Sequence, residues 1–129
     1  MYDSIKNRFT EISHKIQAAS IQAKRSKDDI KLIAVSKLQS VEVINNAYEI
    51  GIKDFGENYA QELFKKSLEC PSDIVWHFIG PIQSNKINLI AECAQWVHSI
   101  DREKVAKKLN AALDICLLYT SDAADDAHG

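Results

Sequence analysis

Leu32-Ile33-Ala34-Val35-Ser36-Lys37 runs four apolar residues straight into a serine and a lysine. Charged residues bound the run at Asp28-Asp29 and Lys31, so its continuous apolar character reads as a strand buried on both faces, of the kind found in parallel α/β sheets. Lys37 then stands at the carboxyl end of that strand. In parallel α/β folds this is the end that faces ligand, and an amine partly shielded from water there has a lowered pKa and becomes a candidate for Schiff-base chemistry with an aldehyde. The plainer alternative, a solvated lysine at a strand end, is the reading that these six residues alone favour, and the rest of the chain has to overturn it.

The chain on either side repeats this unit. Ile5, Phe9, Ile12, Ile16, Ala19 and Ala23 alternate steps of four and three with charged and polar residues between them, which predicts an amphipathic N-terminal helix capped by Asp3 or Ser4. After the first strand, Ser40 caps a helix carrying Val41, Ile44, Ala47 and Tyr48 that ends at Gly51. Ile52 to Phe55 is a second strand with Gly56-Glu57-Asn58 at its carboxyl end, followed by a helix through Leu63, Phe64 and Leu68 that stops before Pro71. Ile74 to Ile79 is a third strand ending at Gly80-Pro81, and Ser84-Asn85-Lys86 turns into a helix with Ile87, Leu89, Ile90 and Cys93. Trp96 to Ile100 is a fourth strand, after which Asp101 caps a helix with Val105, Ala106, Leu109 and Leu113. Strands alternating with helices imply parallel units joined by right-handed crossovers. A half-barrel is favoured over an open doubly wound sheet, because no Gly-x-Gly-x-x-Gly or Walker loop follows the first strand and polar residues gather after every strand.

Composition narrows the function classes. With 46% hydrophobic and 26% charged residues among 129, the chain is an ordinary globular one, and a net charge of -2 leaves no electrostatic footprint for nucleic acid or an anionic membrane. Lys65-Lys66 and Lys107-Lys108 read as solvated helix faces. There is no signal-peptide pattern and no apolar run long enough to span a bilayer, so a cytoplasmic protein is expected. Cys70, Cys93 and Cys116 are too few and too scattered for a disulfide framework or a zinc site, and no metal site is expected.

The last residues depart from the pattern. Cys116-Leu117-Leu118-Tyr119-Thr120-Ser121-Asp122-Ala123-Ala124-Asp125 replaces the expected fifth strand and matches the in-frame translation of a common transposase sequencing adapter. Residues 116–129 are therefore expected to be a non-native tail without fixed structure, with the natural sequence departing after about Ile115.

Polar residues at the four strand ends are the candidates for chemistry: Ser36 and Lys37, Glu57 and Asn58, His77 through Gly80, and His98 with Ser99. His77 and His98 alternate with apolar neighbours and fit hydrogen-bonded core histidines as well as ligands, and Asn58 and Ser84 fit helix caps. No catalytic set of the Ser/His/Asp kind stands out.

Four motifs carry a resemblance. Ala34-Val35-Ser36-Lys37, Phe55-Gly56-Glu57-Asn58-Tyr59-Ala60-Gln61-Glu62, Trp76 through Lys86, and His98-Ser99-Ile100-Asp101-Arg102 are similar, in this order, to motifs of the pyridoxal phosphate homeostasis proteins of the YggS/PROSC type. The resemblance covers residues 1–115 and implies the N-terminal half of an alanine-racemase-like (β/α)8 TIM barrel, preceded by an amphipathic helix. It implies pyridoxal 5'-phosphate as cofactor, held as an aldimine on the lysine matching Lys37, with Asn58 and His77 lining the ring and Ser84 and Asn85 at matching loop positions. The family's serine- and glycine-containing phosphate grip lies near the far strands and has no counterpart here, so weak cofactor retention and poor stability of this chain alone are expected. The implied role is holding and delivering the cofactor without catalysis, with pyridoxal phosphate-dependent apoenzymes as recipients and a full-length parent that is a monomer or weak dimer. Two alternatives share the fold: an amino-acid racemase, which needs a second acid/base across the cofactor, and a Schiff-base aldolase that uses Lys37 on a ketone.

Overall fold

A computed structural model describes residues 2–113; the segment 116–129 set apart above, with Cys116, lies outside the described residues. Helix α1 (Tyr2–Gln22) leads into a 3-10 turn (Lys27–Asp29). Then come β1 (Ala34–Val35), α2 (Val41–Ile50), β2 (Asp54–Glu57), α3 (Ala60–Glu69), β3 (Val75–Phe78), a second 3-10 turn (Ser84–Lys86), α4 (Ile87–Cys93) and β4 (Trp96–Val97). A further helix, α5, occupies residues 103–113. The strands form one parallel sheet in the order β1-β2-β3-β4. Among the described residues that order never reverses and holds no switch point of the doubly wound kind, and right-handed crossovers laid down in one direction put their helices on one face. This is the arrangement of consecutive units of a (β/α)8 barrel.

Register separates the two faces. Phe55, Trp76, Glu57 and Phe78 point to the helices and are buried, with Phe55 tilted against Trp76 at 5.9 Å between ring centroids. Val35, Gly56, His77 and Trp96 form a row on the opposite face. Along it Val35 is 56% and Trp96 54% exposed. The expectation that the first strand is buried on both faces is therefore corrected: β1 is an edge strand with β2 as its one partner among the described residues, and no helix covers its second face. The core lies between the sheet and the helices, where Ile44, Leu63, Ile87, Ile90, Val105 and Leu109 are buried.

Several local expectations shift for physical reasons. Helix α1 has 21 residues against 10 in α2, about 31 Å against about 15 Å of length. It outruns its partner, so Ile5 and Phe9 pack on the core while Ile12 is 43% exposed. Ala19 is also exposed, whereas Ser20 is buried and satisfies its hydroxyl by donating to the Gln17 carbonyl at 2.7 Å. Asp3 lies in the first turn of α1, and α5 begins after Asp101, whose carboxylate pairs with Arg102 at 3.5 Å. The Ser40 cap is present: its hydroxyl accepts the Val43 amide at 3.2 Å, and Gly51 closes α2 at φ 116°. Ser40→Ala should lower stability by about 1 kcal/mol, read as a shift in the urea midpoint at unchanged slope; an unchanged midpoint would mean that water replaces the cap at no cost.

Candidate functional site

The carboxyl end of the sheet begins where β1 gives out. The ladder continues one residue past the strand, with the Ser36 amide donating to the Gly56 carbonyl at 2.9 Å. Lys37 and Leu38 then turn the chain, closed by the Gln39 amide donating to the Ser36 carbonyl at 3.0 Å. Lys37 is exposed and makes no hydrogen bond or ion pair with any of the described residues. The sequence expectation of an amine shielded from water is corrected on this point: with β1 at an edge, nothing among the described residues closes over the turn.

Beneath that turn lies a charged cluster that joins two of the sequence candidates, Ser36 and Glu57, to Lys66 and Glu62, which the sequence reading did not single out. Lys66 of α3, 5% exposed, donates from Nζ to Glu57 Oε1 and Oε2 at 3.1 and 3.0 Å, to Glu62 Oε2 at 2.9 Å and to the Ser36 carbonyl at 2.8 Å. The Ser36 hydroxyl donates to Glu57 Oε2. Glu57 is 0% exposed, and burial pushes its carboxyl above the usual range although Ser36 and Lys66 pull the other way. At Glu62 burial also pushes upward, but hydrogen bonds from Lys66 and from the Leu38 amide (2.8 Å), with the Lys66 charge, hold it below the usual range. Lys66 is not on a solvated helix face. Leu63, Lys66 and Cys70 follow the three-and-four spacing of a buried stripe, and all three are buried. That spacing, with Glu62 one turn upstream, was the available signal.

The other candidates disperse around this end. His77 lies inside β3 rather than at its tip and is 1% exposed. Its Nε2 is 2.7 Å from Asp54 Oδ2 and its Nδ1 2.9 Å from His98 Nε2, and its ring stacks on Trp96 at 6.0 Å. A carboxylate can only accept, so His77 Nε2–H donates to Asp54, and Nδ1 shares a second hydrogen bond with His98 Nε2. Asp54 also meets Lys31 at 3.2 Å. His77 is thus a hydrogen-bonded buried histidine with both nitrogens engaged, and Asp54, its partner, was absent from the sequence candidates.

Asn58 follows β2, half-buried, and its Oδ1 is buried without a partner among the described residues. It is not the cap of α3, whose N-cap is Tyr59. Asn58 shares a cleft of about 170 Å3 with Tyr59, Phe78, Pro81 and Lys86. Ser84 and Asn85 are exposed in the turn after β3 and do not line that cleft, and Ser84 caps nothing, Gln83 standing at that position. The structure therefore gathers Lys37, Ser36 and Glu57 with Lys66 and Glu62, and sets Asn58 in a separate cleft.

Comparison with known proteins bears on this arrangement. No protein-family model matches the chain. The pyridoxal phosphate homeostasis protein of Pasteurella multocida is 44% identical over 110 residues, which span 83% of this chain and 47% of that protein. Its counterpart from Vibrio alginolyticus is 45% identical over 112 residues, 83% and 48% of the two chains. The chain is a homologue of the pyridoxal phosphate homeostasis proteins. It spans about half the length of these curated relatives. Among solved structures, PipY of Synechococcus elongatus, described with PLP bound, superposes with a TM-score of 0.63 at 36% identity, covering 74% of this chain and 46% of that one. An unknown protein from Bifidobacterium adolescentis superposes with a TM-score of 0.78 at 26% identity, covering 84% and 49%. Among the described residues no helix is long and apolar enough to cross a membrane.

Proposed function

We propose that residues 1–115 are the lysine-bearing part of a pyridoxal 5'-phosphate holder that serves cofactor homeostasis in the cytoplasm, with Lys37 as the residue that captures the cofactor. The observation that carries this reading is Lys37 itself: an exposed amine without a partner among the described residues, in a turn at the carboxyl end of a parallel sheet. When bound, the cofactor supplies an aldehyde, which a primary amine captures with loss of water. The residues present fit such a group in part. Lys37 offers the amine, and Asn58 Oδ1 is a buried acceptor in want of a donor. His77 contributes from below, through His98, since its own nitrogens are taken. Ser84 and Asn85 would order the loop beyond β3.

The names of the relatives and the PLP-bound description of PipY support the same reading. The whole protein would hold and release the cofactor to apoenzymes, acting as a monomer or weak dimer and without catalysis of its own. Lys37 is exposed and none of the described residues closes over it, so retention should be weak. Incubation with excess cofactor followed by borohydride should fix a pyridoxyl group on Lys37, while the unreduced chain should lose its colour on gel filtration. Lys37→Ala should abolish the label at that peptide. Equal total labelling in the variant would refute Lys37 as the capturing residue.

A further inference from the structure

We propose that the part-buried Lys66–Glu62 ion pair is the positioning device for Lys37, with Lys66 as the positioning residue. The inference rests on the reading of Lys37 given above. Lys66 Nζ takes hold of the Ser36 carbonyl at 2.8 Å, immediately before Lys37, and Glu62 Oε2 accepts the Leu38 amide at 2.8 Å, immediately after it. The two holders are joined to each other at 2.9 Å. One ion pair on α3 therefore grips both flanks of a residue whose own side chain is unrestrained.

Two further features point the same way. Ser36 is held at every polar group it has: amide to Gly56, carbonyl to Lys66 and hydroxyl to Glu57. Leu38 adopts φ 62° and is 77% exposed. A non-glycine residue in the left-handed region is strained and persists where its surroundings over-determine it. No apolar burial holds Leu38 there, so the Glu62 contact to its amide is what the geometry offers. Capture of an aldehyde is sensitive to amine placement, because a misplacement of about 1 Å costs about a hundredfold in rate.

The test uses the chain as it stands. Brief exposure to pyridoxal 5'-phosphate, borohydride reduction and peptide mapping give the labelling of Lys37 relative to exposed Lys65. Glu62→Ala removes the Leu38 anchor, while the buried Lys66 keeps Glu57 as its counter-charge at 3.0 Å. It should lower the Lys37/Lys65 ratio about tenfold to a hundredfold at unchanged circular dichroism. Glu62→Gln, whose amide oxygen still accepts from Leu38, should recover part of the ratio. The paired variant Glu57→Gln/Lys66→Met, which removes both fully buried charges together, should reproduce the loss. In the cofactor-free chain, the Leu38 amide should exchange with solvent faster in Glu62→Ala than in the native protein. Labelling of the native chain without preference for Lys37 would overturn the cofactor reading and this inference with it. Preferred labelling that survives in Glu62→Ala, or Leu38 exchange that does not change, would overturn the positioning inference alone.

Discussion

Lys66→Met is expected to destabilise the chain by about 3–5 kcal/mol at neutral pH, the cost of breaking a buried pair from one side. The ammonium it removes serves four acceptors, two of them the oxygens of a carboxylate with 0% exposure. Glu57 would be left with the Ser36 hydroxyl, buried and without a cation. Domains of this size have about 5–15 kcal/mol in total, so the loss takes a large share of what holds the fold. The paired Glu57→Gln/Lys66→Met should be far milder, because apolar or neutral replacement of a whole buried pair is often close to neutral. Urea titration of the three proteins checks both statements; a single variant within 1 kcal/mol of native, on the scale of an exposed pair, would show that the pair is solvated.

The pH dependence has a definite sign. Glu57 is raised, so its contribution is present below the unfolded carboxylate range and is lost as pH rises through its folded value. Without Lys66 its folded value climbs further, and the loss reaches to higher pH. Glu62 is lowered, so its contribution is present above the unfolded range and is lost as pH falls through its folded value. The variant has forfeited most of that contribution already. Both effects narrow the gap between native and variant as the solution is acidified, and a gap that widened in acid would contradict the assignment of either carboxyl.

Lys66 also marks the limit of what the sequence discloses. The strand-helix alternation, the Ser40 and Gly51 boundaries and the placement of Lys37 after the first strand are local patterns, and a chain with period-two and period-3.6 segments displays them directly. Whether a face is covered is not local. Leu32 through Val35 is as apolar as a doubly buried strand, yet Val35 is half-exposed because β1 is an edge among the described residues. Lys66 reads as solvated from its charge and buried from its spacing, and charge was the misleading cue. The deciding groups, Glu57 and the Ser36 carbonyl, lie 9 and 30 residues away and meet it only once the sheet has formed. His77 was ambiguous for the same reason, since Asp54 and His98 come from neighbouring strands.

Gly80→Ala should cost about 3 kcal/mol, the upper part of the range for overpacking, and should do so by sterics alone. A Cβ at Gly80 would stand 2.2 Å from the Asn58 carbonyl oxygen, 2.8 Å from its Cα and 2.9 Å from its carbonyl carbon. All three are backbone atoms, so no rotamer change relieves the clash, and one of the two loops at the carboxyl ends of β2 and β3 has to move. Gly51→Ala is the control. It has open space around its Cβ and a φ of 116°, so its penalty is conformational, about 1 kcal/mol or somewhat more. Both variants lose stability, but they differ at the candidate site. Displacing Asn58 should loosen the cleft it shares with Lys86 and expose its buried Oδ1, whereas a strained end of α2 leaves that cleft alone. Urea midpoints give the two penalties, and amide chemical shifts of Asn58 and Tyr59 locate them. A Gly80→Ala variant with native shifts at those residues would mean that the loop after β3 absorbs the whole displacement and that the two strand ends are not held together through this contact.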